Sequence, residues 1–103
     1  MPLSVSLTID GDTTVIELAG ELDANTAPDF HQTIEKAAGH GTGTVEIRMA
    51  GVGYMASAGL RSLVFAQQKV ASNVTIKVVG AIEPVARTIR TAGLHRSIVL
   101  SDD

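Results

Sequence analysis

Few side chains in this chain could do chemistry, and one serine stands out by its setting. The stretch VEIRMAGVGYMASAGLRSL, Val45 to Leu63, reads as a strand, a glycine-broken turn and a serine at the mouth of a helix. Val45, Ile47 and Met49 alternate with Glu46 and Arg48, the period of two expected for a strand. Gly51 and Gly53 then predict a sharp turn. From Leu60 onward, Leu63, Val64, Gln67 and Val70 recur at close to helical spacing, with Gln67 the one polar member. Ser57 therefore falls at or beside a helix N-cap, where unpaired amides and the positive end of the helix dipole favour oxygen-rich anions. Such a hydroxyl has an ordinary use, capping its own helix for about 1 kcal/mol. Its sharper use is to accept a phosphoryl group, which adds charge where the backbone tolerates it and alters the surface a partner meets.

Other chemistries fit less well. A serine hydrolase would need a base held within hydrogen-bond reach of Ser57. His31 is expected on a charged helix face, His40 in a glycine-rich loop and His95 near a helix end, each reading as solvated surface. Their spacing has no metal-ligand logic. Gly51-x-Gly53-x-x-Ala56 lies between a strand and a helix, yet no carboxylate follows at the distance a dinucleotide ribose requires; Lys77 and Val78 lie there instead. No Gly-Lys-Ser/Thr occurs, so a P-loop is absent. Glu21 and Asp23, leaving the second strand, read by themselves as two solvated charges at a helix entrance. Of Tyr54 and Met55, one is expected in the core and the other half-exposed, because successive extended residues point oppositely.

The elements that must position these residues are legible. Leu3, Val5, Leu7 and Ile9 alternate with Ser4, Ser6, Thr8 and Asp10, predicting a first strand with one wet face. Asp10-Gly11-Asp12 predicts a hairpin turn into a second strand, Thr13 to Ala19, which Gly20 ends. Thr26 is expected to cap a first helix with Asp29 in a Thr-x-x-Asp box, its apolar stripe being Phe30, Ile34, Ala37 and Ala38. The helix at Ser57 should run to about Ala71, before a strand at Val74 to Val79. Pro84 opens a third helix that Gly93 stops, and Ser97 to Leu100 reads as a last strand. Strand and helix alternate after the hairpin. The expected fold is thus α/β, one domain over residues 1–103, a mixed sheet of four to five strands with helices mainly on one face.

Composition bounds the function. At 103 residues the chain can build one core without covalent staples, and it has no cysteine for disulfides or thiol chemistry. Its net charge of −3, with dispersed Lys and Arg, argues against nucleic acid, which demands a basic stripe. Three aromatic residues, Phe30, Tyr54 and Phe65, are too few for a base-stacking platform. No charged leader opens the chain and no apolar run approaches membrane-spanning length, so the expectation is a cytosolic, soluble protein without membrane insertion.

Three stretches carry a family resemblance: LAGELDANTAP, GVGYMASAGLRSL and EPVARTIRTAGLHRSIVL, in that order along most of the chain. Together they resemble a STAS domain of the bacterial anti-sigma factor antagonist type. The resemblance implies that Ser57, followed by Ala58, Gly59 and Leu60, is phosphorylated by a partner anti-sigma factor serine kinase and reset by a serine phosphatase. It also implies a partner-facing surface formed by Glu21, Asp23, Met55, Ala56, Ala58 and Gly59, Met55 doubling as a core candidate. Two positions depart from the family pattern. Ala56 stands where many members have Asp, and Arg48 where the third strand often carries Asp. The implied function is a protein-interaction switch, not an enzyme, with no cofactor, ATP belonging to the partner. The alternative is a STAS module that is never phosphorylated, a subunit of a lipid-transport ABC complex or a signalling scaffold.

Overall fold

Alternating Leu, Val and Ile on β1 (Ser4–Asp10) and a continuous apolar face on β2 (Thr13–Leu22) make the opening antiparallel hairpin, turning at Gly11 and Asp12 as the sequence predicts. In the computed structural model, which describes residues 2–102, α1 (Ala27–His40), β3 (Thr44–Met55), α2 (Ser57–Lys69), β4 (Thr75–Val79) and α3 (Glu83–Thr91) follow. A 3-10 turn at Leu94–Arg96 leads to β5 (Val99–Ser101). The five strands lie in sequence order, β2 to β5 all parallel. Each crossover advances one strand in the same direction, so right-handed connections place all three helices on one face.

That face holds the core. Ile16, Leu18, Ile47, Met49 and Val78 from the sheet meet Phe30, Ile34, Leu63 and Ile89 from the helices, all nearly or fully buried. The opposite face is polar, with Glu17, Glu46, Arg48 and Lys77 on neighbouring strands. There Arg48 bonds Glu46 at 2.6 Å, and this hydrogen bond, with the charge of Glu46, raises the guanidinium pKa above its ordinary value. Two buried hydroxyls are satisfied in a chain: Thr14 donates to Thr42 at 2.7 Å, and Thr42 donates to the Thr44 carbonyl at 3.0 Å.

The structure corrects several local expectations. Gly20 does not end β2, which continues to Leu22; at φ 113° it is a bend inside the strand, and a Cβ there would overlap the Pro2 carbonyl. Gly51 and Gly53 do not turn the chain out of β3, which runs through them to Met55. Instead β3 carries one extra residue at each of two register shifts, so that Glu17 faces Arg48 while Ala19 faces Gly51 and Glu21 faces Tyr54. The helix α2 ends at Lys69, before Ala71, because Val70 is already extended. The last strand is Val99–Ser101 and not Ser97 to Leu100, since the 3-10 turn occupies the preceding residues. Gly93 does close α3, its amide donating to the Arg90 carbonyl at 2.9 Å.

Candidate functional site: the α2 start and the β2–α1 loop

Parallel pairing brings the carboxyl ends of β2 and β3 together, with Leu22 opposite Met55. The Ala56 amide then donates to the Leu22 carbonyl at 2.9 Å, which ties the start of α2 to the loop leading into α1. Ser57 and the Glu21–Asp23 segment thus share one end of the sheet, the end where open parallel sheets present their ligand sites.

Ser57 is not the N-cap. Ala56, extended at φ −84° and ψ 176°, occupies that position and offers no side-chain acceptor. Ser57 is the first residue of α2 and is exposed. Among the described residues its hydroxyl has no hydrogen-bond partner. The Gly59 amide reaches the Ala56 carbonyl at 2.9 Å, whereas the amides of Ser57 and Ala58 bond no carbonyl among the described residues.

Asp23, by contrast, is committed to structure. Its Oδ1 accepts the amides of Asn25 at 3.0 Å and Thr26 at 3.1 Å, while its own amide donates to Thr26 Oγ1 at 3.0 Å. The Thr26 hydroxyl donates to the Glu21 carbonyl at 2.8 Å. This reciprocal Asp23–Thr26 box replaces the expected Thr26–Asp29 one, and Thr26 makes no side-chain bond to the first turn of α1. Asp23 is half-buried at the N-terminal end of α1. Glu21 is exposed at the last turn-ward residues of β2.

The side chains next to Ser57 divide by burial. Tyr54 is 54% exposed, whereas Met55 is 7% exposed and belongs to the core. Ala58 and Gly59 are buried as well. Met55, Ala58 and Gly59 thus lie beneath the surface and seat the helix start. Ala56 is half-buried at the rim.

Sequence reasoning missed how α1 holds α2. His31 is not a solvated surface residue. Its ring stacks on Phe65 with centroids 4.4 Å apart, and its Nε2 lies 2.8 Å from the fully buried Ser62 Oγ. Ser62 donates its one proton to the Ala58 carbonyl at 3.0 Å, so it accepts from His31, which places a proton on Nε2. The chain from α1 to the first turn of α2 thus runs His31, Ser62, Ala58. Ser62→Ala should lower unfolding stability by about 1 kcal/mol, read as a lower urea midpoint at unchanged slope. Beside this contact an open groove of about 420 Å³ runs between the two helices, bordered by Ala27, Pro28, His31, Ala58 and Arg61. Arg61, exposed and one turn on from Ser57, carries a positive charge on the same helix face. The spacing of Arg61 from Ser57 was the available signal for that charge. His40 and His95 are exposed, and neither is in reach of Ser57 through any hydrogen bond among the described residues.

A family model described as Mlab, STAS domain, matches residues 5–101. The chain belongs to the STAS domain family. Among solved structures, this STAS domain is similar to an anti-sigma factor antagonist from Mycobacterium paratuberculosis, at TM-score 0.91 and 24% identity over 98% of this chain and 86% of that one. It is also similar to an anti-sigma-factor antagonist (STAS) domain protein from Planctomyces limnophilus, at TM-score 0.83 and 14% identity, covering 93% and 86%. The Bacillus cell fate determinant SpoIIAA in its phosphorylated form aligns at TM-score 0.74 and 18% identity, covering 97% and 93%. These neighbours share the fold. No curated protein matches the sequence. Among the described residues no helix is long and apolar enough to cross a membrane, and no cluster of three His, Cys, Asp or Glu could hold a metal.

Proposed function

We propose that this STAS domain is a cytoplasmic anti-sigma factor antagonist, a switch that binds an anti-sigma factor with an ATPase-type kinase fold and thereby frees the sigma factor. The observation that carries the reading is the Ser57 hydroxyl, exposed and without a hydrogen bond among the described residues, at the first residue of α2 beside the Glu21–Asp23 segment. Phosphorylation of Ser57 turns the switch off. The serine oxygen forms a bond to the γ-phosphorus of ATP, the bond to ADP breaks, and the serine proton passes to a base on the kinase. Metal, nucleotide and base all come from the kinase, so the missing carboxylate at Ala56 does not block the transfer. A serine phosphatase resets the switch. Glu21, Asp23 and the rim at Ala56 form the face the kinase meets, while Met55, Ala58 and Gly59 support it from below. The domain itself acts by binding, not by catalysis.

A second reading has its own support. The matching family model is described as Mlab, STAS domain, and Ala56 departs from the phosphorylated pattern. On that reading the domain is an unphosphorylated subunit of a lipid-transport ABC complex. Affinity capture with the tagged full chain separates the two. The antagonist reading predicts an ATPase-type kinase as the retained partner; recovery of an ABC ATPase in its place would overturn it.

A further inference from the structure

We infer that two copies of the chain pair through the free edge of β1, antiparallel, so that their sheets join across a twofold axis. The inference rests on the character of that edge. β1 is the terminal strand of the sheet and spans seven residues. Its register with β2 runs through seven consecutive pairs without a bulge. Edge strands of monomeric proteins are blunted by charges, proline, bulges or extreme shortness. From Leu3 to Ile9 the sequence LSVSLTI contains no charge, no proline and no glycine. The opposite edge, β5, is guarded by its length of three residues. Apolar side chains on the helix-facing side of β1 are also left wanting cover: Leu3, Val5 and Leu7 are only half-buried and Ile9 is 50% exposed.

The partner that fits this edge is a second copy, because LSVSLTI reads alike in both directions. With Ser6 placed against its own counterpart on the axis, Leu3 falls opposite Ile9, Val5 opposite Leu7 and Ser4 opposite Thr8. Apolar residues then meet apolar ones on the helix side, and hydroxyls meet hydroxyls on the polar side. The first charge, Asp10, lies beyond the paired stretch and faces no like charge within it. An axis perpendicular to the sheet keeps the helices of both copies on one side and continues the main-chain ladder. It also points the two Ser57 ends in opposite directions, so pairing leaves both accessible. The inference therefore stands independently of what Ser57 does.

Light scattering after size exclusion tests it on the full chain. At millimolar concentration the expected mass is twice the 10.7 kDa of one chain, falling towards 10.7 kDa on dilution. Ser6→Lys sets two like charges against each other on the axis, at an exposed position that leaves the fold intact. It should raise the dissociation constant on the order of tenfold or more, with circular dichroism and melting unchanged. Ser6→Cys, carrying the sole thiol, should oxidise to a covalent dimer faster than an exposed control, Thr75→Cys. A mass of 10.7 kDa at every concentration, a dimer unaffected by Ser6→Lys, or equal oxidation of the two cysteine variants would each overturn the proposal.

Discussion

Gly59→Val should cost about 3 kcal/mol of stability, whereas Gly53→Val should be close to neutral. The contrast arises from what a new Cβ meets. At Gly59 it would overlap Met55 Cγ and lie 2.9 Å from Met55 Sδ and 3.0 Å from Leu22 Cδ2. Met55 can adapt, but Leu22 is fully buried and lies directly across from Met55 in the β2–β3 register. The first turn of α2 must then lift from the sheet, carrying Ser57 with it. Gly53 lies in β3 with open space around the same virtual atom, and valine suits an extended backbone. For a domain of this length the loss at Gly59 corresponds to a melting temperature lower by roughly 12 to 20 °C, measurable by calorimetry. Equal melting of the two variants would contradict the packing described for the helix start.

Phosphorylation of Ser57 should weaken kinase binding about a hundredfold. A phosphoserine brings about −1.5 to −2 charge to a face that already carries Glu21 and Asp23. An acidic group of the partner brought about 6 Å from the phosphate is repelled by roughly 3 kcal/mol at an effective dielectric of about 20, and this corresponds to a hundredfold change in affinity. The open amides of Ser57 and Ala58 and the charge of Arg61 would accommodate a phosphate within the domain, so the repulsion should fall on the complex and not on the fold. Isothermal calorimetry of the unmodified and phosphorylated protein against the kinase reads the difference directly. Ser57→Ala should bind like the unmodified protein, and added salt should narrow the gap.

Much of this architecture was legible because its signals are periodic. The alternation from Leu3 to Asp10, the Gly11-Asp12 turn and the Pro84-to-Gly93 helix each follow from local chemistry, and the structure has them where the residues point. What escaped sequence reading depends on close approach. The buried face of α2 is made of Ala58, Gly59, Ser62, Leu63 and Ala66, mostly small residues that give almost no hydrophobic period. The apparent stripe instead ran through Val64, which is exposed. Likewise, Gly51 looked like a turn residue, but it lies in β3 because the Ala19 methyl of the neighbouring strand leaves no room for a Cβ. His31 looked solvated because its partner, Ser62, is a small polar residue buried on another helix. The exchange between Asp23 and Thr26 escaped because a box over Thr26 and Asp29 has the same spacing. At the site itself, the serine and its helix were legible; the cap was not, since Ala56 holds that place by backbone conformation alone.

One hydroxyl carries the functional account, and phosphoryl transfer to it can be observed directly. The domain would be incubated with its cognate anti-sigma kinase and ATP, digested, and the phosphate located by mass spectrometry. The prediction is a single phosphate on Ser57, lost in Ser57→Ala. Label elsewhere, or undiminished label in Ser57→Ala, would contradict it.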